Sequence, residues 1–110
     1  EVLMAHALGL SRSDMLLRAL QSPAPAGFEA LIERRMAHEP VAYITGTAEF
    51  WGLSLAVTPA TLIPRADSET LVRAALAAAG PVGRALDLGT GSGALLLALL
   101  AERPEWEGVG

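Results

Sequence analysis

One stretch of the sequence decides the fold: Ala85-Leu-Asp-Leu-Gly-Thr-Gly-Ser-Gly-Ala94. The short apolar segment from Arg84 to Leu88 predicts a strand, and three glycines alternate directly after it. The segment from Ala94 to Arg103 is apolar nearly all round and predicts a helix packed against a sheet. We therefore expect a strand, a glycine-rich loop and a helix, with the loop at the carboxyl edge of a parallel sheet.

The segments on either side continue this alternation. Before the strand that begins at Arg84, a helix is predicted, which Asp67 or Ser68 can cap and which Gly80 ends. Trp106 to Gly110 has the character of a further strand. Residues 65–110 therefore predict the order helix, strand, helix, strand, which is typical of an α/β fold.

The first 40 residues are predicted to be helical. The helices expected here run from Val2 to Leu8, from Ser11 or Ser13 to Leu20, and from Phe28 to His38. In the second helix Leu20 shares the apolar face, and Pro40 should end the third. Residues 1–40 thus predict a small helical domain.

Residues 41–64 differ in character from the helical segment. Leu53, Leu55 and Val57 alternate with the two-residue period of a half-buried strand. Together with Gly52 this pattern predicts a hairpin from Glu49 to Val57. We expect this segment to link the two larger parts of the chain.

The composition excludes several classes of protein. All eight basic residues are arginines, scattered along a chain of net charge −4, so no basic patch suited to nucleic acid is expected. The chain has no cysteine and two histidines, so we expect neither disulfides nor a metal site. The longest apolar run has eight residues and no secretory signal is visible, so we expect no membrane partner and a cytoplasmic location. Both ends have the appearance of cuts within a longer sequence.

The glycine loop predicts a nucleotide-type cofactor site. Glycine lets the backbone approach a ligand closely, and the start of the next helix suits an anionic group. The loop formally fits the dinucleotide fingerprint. With Asp87 two residues before the first glycine, however, it resembles the first motif of Rossmann-like methyltransferases, and this resemblance favours S-adenosyl-L-methionine as the cofactor. A tight turn that binds no ligand is the alternative. The cofactor-binding residues predicted on the loop are Asp87, Gly89, Thr90, Gly91, Ser92 and Gly93.

Several strings occur in one order along the chain, and together they resemble the HemK/PrmC family of peptide chain release factor N5-glutamine methyltransferases. The strings are Glu39-Pro-Val-Ala-Tyr-Ile-Thr-Gly46, Glu49-Phe-Trp-Gly-Leu53, Leu62-Ile-Pro-Arg-Ala-Asp-Ser-Glu-Thr-Leu-Val72, Leu86-Asp-Leu-Gly-Thr-Gly-Ser-Gly93 and Glu102-Arg-Pro104. The resemblance implies an N-terminal helical substrate-docking domain over residues 1–40 and a hairpin linker over 41–64. It implies that residues 65–110 begin a Rossmann-like methyltransferase domain, which this sequence leaves incomplete.

The resemblance also implies an activity, transfer of a methyl group from S-adenosyl-L-methionine to a glutamine side-chain amide of release factors. It places Arg65 near the cofactor's carboxylate end, although a structural arginine tying hairpin to helix is an equal alternative. Phe50 and Trp51 are either interdomain core or a wall of the pocket. No catalytic residue is assigned, because the family's Asn-Pro-Pro-Tyr motif is missing from a chain without asparagine. We therefore expect this chain to be inactive.

Three other functions remain open on the sequence. The first is another methyltransferase using S-adenosylmethionine, acting on DNA adenine or on a different protein. The second is a non-enzymatic protein-interaction module built on residues 1–40. An NAD-dependent oxidoreductase ranks last, because a carboxylate beside a pyrophosphate would contribute little.

Overall fold

Two units make up the chain, Glu1–Thr45 and Gly46–Gly110. The computed structural model describes residues 1–19 and 21–110. The first unit contains helices, and the second combines helices with two small sheets. The predicted α/β class is confirmed.

The first unit is built around its first helix. The helices are α1 (Val2–Leu8), α2 (Arg12–Arg18), α3 (Phe28–Met36) and α4 (Val41–Thr45). The helix α1 packs against the other three, and the buried side chains of this unit are Leu3, Ala5, Met15 and Ile44. No helix in the described part of the chain is long and apolar enough to cross a membrane.

The ends of the first two helices follow the predicted signals. The helix α1 stops at Gly9, whose φ of 65° lies in the left-handed region that glycine tolerates. The side chain of Ser11 caps α2 by accepting a 3.0 Å hydrogen bond from the Asp14 amide. Leu20, expected on the apolar face of this helix, lies outside the described residues.

The turn after α3 differs from the prediction. The helix ends at Met36 rather than His38, and His38 has a φ of 65°. Arg35 donates a 3.0 Å hydrogen bond to the carbonyl oxygen of Glu39 and so stabilises this early end. The short helix α4 then occupies residues predicted to be linker, because Pro40 suits a helix start and Ile44 is buried.

The second unit opens with the predicted hairpin. Strands β1 (Thr47–Phe50) and β2 (Leu53–Ala56) pair antiparallel, with Phe50 opposite Leu53. The connecting residues, Trp51 and Gly52, have φ values of 54° and 72°. Positive φ at both central positions is what a type I′ turn requires, so the turn near Gly52 is confirmed.

The helix and strand order that follows is also confirmed. The elements are α5 (Glu69–Ala78), β3 (Gly83–Leu86), α6 (Ala94–Glu102) and β4 (Trp106–Val109). The two strands are parallel, so β3, α6 and β4 form a β–α–β unit. A 3₁₀ turn over Ala66–Ser68 leads into α5, and Ser68 makes no side-chain cap there, in contrast to the expected Asp67 or Ser68 cap.

The core of the second unit joins the hairpin to both of its helices. Its buried members are Phe50, Leu55, Val72, Ala94 and Ala98. On the sheet side, α6 lies directly over β4, because a Cβ atom at Gly108 would come within 2.7 Å of Leu96 and 2.9 Å of Leu100. The expected packing of this apolar helix on the sheet is therefore confirmed.

Candidate functional site

The glycine loop connects the carboxyl end of a strand to the start of a helix. The Asp87 amide donates a 2.8 Å hydrogen bond to the carbonyl oxygen of Val109, which extends the parallel pairing one residue past β3. The helix α6 begins at Ala94, with Gly93 as its N-cap. The loop therefore lies where backbone N–H groups and the positive end of a helix meet a sheet edge.

All three loop glycines have left-handed backbones. The φ values are 75° at Gly89, 56° at Gly91 and 80° at Gly93. Other residues adopt this region at a cost, so the alternating pattern is explained by the path of the backbone. A 2.8 Å hydrogen bond from the Gly93 amide to the carbonyl oxygen of Thr90 closes the loop just before the helix.

The acidic residue of the loop is held from within the loop. The hydroxyl of Thr90 donates a 2.9 Å hydrogen bond to Oδ2 of Asp87, and both side chains are partly buried. This bond orients the carboxylate through Oδ2 and leaves Oδ1 out of the interaction. A charged acceptor makes such a hydrogen bond stronger than a neutral pair would be.

A cleft of about 380 Å³ lies against the loop. Its volume falls within the range of about 300–1,000 Å³ that is usual for small-molecule sites. The residues that line it come from the loop, the start of α6, the hairpin and the segment before α5. They are Phe50, Leu62, Ile63, Pro64, Arg65, Ser68, Gly89, Thr90, Gly91, Ser92, Ala94 and Leu95.

Arg65 is the charged member of this lining. The residue is exposed, and within residues 1–19 and 21–110 its side chain forms no hydrogen bond or ion pair. A guanidinium in this state is free to bind a carboxylate or phosphate bidentately. No hydrogen bond or ion pair of its side chain ties the hairpin to α5 in the described structure.

The chemistry of the cleft suits a mixed ligand. Phe50, Ile63 and Leu95 provide apolar surface, while Ser68 and Ser92 contribute hydroxyl groups. The helix start and the guanidinium both favour negative charge on the ligand. No three His, Asp or Glu side chains gather as a metal site would need in the part of the chain that is described.

The structure brings together most of the predicted site residues. Gly89, Thr90, Gly91 and Ser92 share the cleft with Arg65. The remaining two predicted residues, Asp87 and Gly93, are not among the residues that line this cleft.

The neighbouring hairpin residues take different places. Phe50 lines the cleft and is also buried in the core of the second unit. Trp51 lies outside the lining and packs against the core. Sequence reasoning missed Ser68 as a lining residue. The one available signal was its position three residues after Arg65, and Ser68 was instead interpreted as a possible helix cap.

The sequence of this chain is similar to those of known proteins over most of its length. Residues 1–46 match the family described as the PrmC N-terminal domain. The release factor glutamine methyltransferase of Vibrio cholerae is 50% identical over 107 residues, which cover 94% of this chain and 37% of the relative. Over most of its length, the chain is similar to release factor glutamine methyltransferases, and its first 46 residues match the PrmC N-terminal domain.

Two further relatives show the same extent of similarity. The release factor glutamine methyltransferase of Escherichia coli is 47% identical over 97% of this chain and 40% of its own length. That of Rhodospirillum rubrum is 50% identical over 99% of this chain, so its alignment includes the glycine loop, and covers 35% of the relative. The chain therefore spans little more than a third of the length of these relatives.

Proposed function

We propose that this chain provides the S-adenosyl-L-methionine site of an enzyme that methylates the glutamine side-chain amide of peptide chain release factors. One observation supports the proposal above all others. The cleft between the glycine loop and Arg65 occurs in a chain about half identical to proteins named release factor glutamine methyltransferase.

The lining residues would divide the work of holding the cofactor. Arg65 would bind its carboxylate, and the backbone of Gly89 and Gly91 would allow close approach. Asp87, oriented by Thr90, would balance the positive charge of the ligand's methionine end. When bound, S-adenosylmethionine supplies an electrophilic methyl group on its sulfonium sulfur.

The roles of the larger segments belong to the same proposal. Residues 1–40 would form a domain that docks the release factor, residues 41–64 a hairpin linker, and residues 65–110 the start of a Rossmann-like domain. The match of residues 1–46 to the PrmC N-terminal domain supports the first role. The parallel β3–α6–β4 unit, with its loop at the sheet edge, supports the last.

Catalysis in this reaction rests on positioning. An amide nitrogen is a poor nucleophile, so acceptors must hold its N–H bonds while its lone pair faces the methyl carbon. The Asn-Pro-Pro-Tyr motif that the family resemblance implies is not in this sequence, which contains no asparagine. We therefore expect the chain to bind the cofactor without turnover.

Calorimetric titration of the chain tests the cofactor assignment. We expect saturable binding of S-adenosylmethionine and of S-adenosylhomocysteine, and no binding of NADH. Gly80→Ala is the control variant and should bind S-adenosylmethionine as the unchanged chain does, since a Cβ atom there meets only one backbone atom, at 3.9 Å. Binding of NADH alone would favour the oxidoreductase instead.

A chimera tests the acceptor. The chain would replace the corresponding segment of the Escherichia coli relative, of which it covers 40%. We expect label from S-adenosylmethionine on release-factor glutamine and none on DNA. Labelled DNA with unlabelled release factor would support the rival methyltransferase.

A further inference from the structure

The turn of the hairpin holds a large aromatic residue in an unfavourable backbone conformation. Trp51 has a φ of 54°, in the left-handed region where glycine, asparagine and aspartate are the usual residues of a type I′ turn. A bulky side chain is strained there, because its Cβ atom comes too close to the following carbonyl oxygen. The local sequence therefore does not explain the residue, and contacts from elsewhere must hold it.

Two glutamates provide these contacts. The backbone N–H of Trp51 donates a 3.2 Å hydrogen bond to Oε1 of Glu69, and its indole N–H donates a 2.8 Å hydrogen bond to Oε1 of Glu102. Glu69 is the first residue of α5, and Glu102 is the last residue of α6. One residue of the turn thus binds both helices of the unit.

An arginine completes the cluster. The Arg73 guanidinium carbon lies 5.6 Å from the centre of the Trp51 ring, a cation–π distance. The same guanidinium forms a 3.2 Å ion pair with Glu69, one helical turn earlier on α5. The carboxylate that accepts the turn's N–H is therefore itself held in place.

The elements bound by this cluster are those that carry the walls of the cleft. Phe50, directly before Trp51, is 2% exposed, packs with Ala94 at the start of α6 and lines the cleft. The segment with Arg65 leads straight into α5. A shift of the turn relative to either helix would move Phe50 relative to the glycine loop.

We infer that Trp51 is a positioning residue of the cleft, which, through Glu69 and Glu102, fixes the apolar wall formed by Phe50 against the glycine loop. The inference rests on the proposed function in taking S-adenosylmethionine as the ligand. Trp51 itself does not line the cleft, so its effect on the ligand is indirect.

Paired substitutions of Glu102 test this role. Glu102→Ala removes the acceptor of the indole N–H, whereas Glu102→Gln retains an acceptor oxygen. Loss of this hydrogen bond should weaken S-adenosylmethionine binding about three- to tenfold in the alanine variant, and glutamine should restore most of the affinity. Glu107→Ala is the matched control, because it removes another exposed carboxylate, paired with Arg84 at 3.3 Å, outside the cluster.

A measurement without ligand separates this inference from the proposed function. In the unliganded chain, the Gly91 amide and Ala94 methyl resonances should shift in Glu102→Ala, because the Phe50 ring moves, and return in Glu102→Gln. If the unchanged chain binds no S-adenosylmethionine, the proposed function fails, and these resonances still decide the positioning role. Unshifted resonances in Glu102→Ala would overturn the inference.

A second variant guards against a general loss of structure. Trp51→Asn suits the type I′ turn and removes the indole contacts, so we expect a folded chain with displaced Gly91 and Ala94 resonances and weaker binding. Affinity and resonances equal to those of the unchanged chain would overturn the inference. Equal effects of Glu102→Ala and Glu107→Ala would also overturn it, since they would show only a general loss of stability.

Discussion

Thr90 and Asp87 are joined by a 2.9 Å hydrogen bond from the threonine hydroxyl to Oδ2 of the aspartate. The bond links a residue that lines the cleft to one that does not. Because the acceptor is a carboxylate, the hydrogen bond is a strong one and fixes the orientation of the negatively charged Asp87 side chain. Its effect on a bound ligand should therefore depend on the hydroxyl as much as on the carboxylate.

Replacing Thr90 with valine tests this dependence. Valine keeps the branched shape but lacks the hydroxyl, so the Asp87 carboxylate loses its partner. We expect affinity for S-adenosylmethionine to fall about three- to tenfold, as for the loss of one hydrogen bond, measured by titration calorimetry. Thr90→Ser should retain most of the affinity. Equal binding by the valine and serine variants would show that the bond has no part in binding.

Arg65→Gln tests whether the free guanidinium binds the cofactor's carboxylate. We expect S-adenosylmethionine and S-adenosylhomocysteine to bind about tenfold more weakly or worse, which corresponds to the loss of a charge-assisted contact. Methylthioadenosine has no carboxylate, so its affinity should not change. A similar loss for all three ligands would mean that Arg65 acts on the fold, and Arg65→Lys should restore only part of the affinity.

Gly108→Ala tests the close approach of α6 to β4. The new methyl group would lie 2.7 Å from the end of the Leu96 side chain and 2.9 Å from that of Leu100, so these side chains or the strand must shift. Overpacking of this kind typically destabilises by about 1–3 kcal/mol, which urea unfolding followed by tryptophan fluorescence would measure. Gly80→Ala is the control, with a single neighbouring atom at 3.9 Å. Unfolding midpoints that agree for the two variants would contradict the packing described here.

The sequence predicted those features that depend on neighbouring residues. Gly9 ends α1, Gly52 lies in the hairpin turn, and the glycine loop separates β3 from α6, all through local backbone preferences. The short helix α4 escaped prediction, because five residues are too few to show a period. Its formation depends on burial of Ile44 in the first unit.

The site shows the same division between local and distant determinants. The loop residues were predicted from their spacing, but Arg65 was placed near them only through the family resemblance. The contact of Trp51 with Glu102 spans 51 residues of sequence, and no local pattern indicates such a pair. Arg34 likewise binds Glu39 across the turn after α3, a pair that no local pattern indicates.

The Arg34–Glu39 pair predicts how the first unit responds to acid. Hydrogen bonds from the Arg34 guanidinium, one of them 2.7 Å long, hold the pKa of Glu39 below its ordinary value, and its charge acts in the same direction. A carboxyl group with a lowered pKa in the folded state contributes stability above its unfolded pKa. That contribution disappears as the pH falls through the folded pKa.

Glu39→Gln should therefore reduce the pH dependence of the first unit's stability between about pH 5 and pH 3. Urea unfolding followed by the ring resonances of Tyr43 would measure this, because the chain's single tyrosine lies in the first unit. Near neutral pH the variant should be less stable than the unchanged chain, and the two should converge in acid, where Glu39 is protonated. Glu29→Gln is the control, because it removes a carboxylate from α3, the helix that carries Arg34. The loss of stability between neutral and acid pH should be closer to that of the unchanged chain in Glu29→Gln than in Glu39→Gln. Parallel pH profiles for Glu39→Gln and the unchanged chain would mean that the ion pair does not contribute to folding.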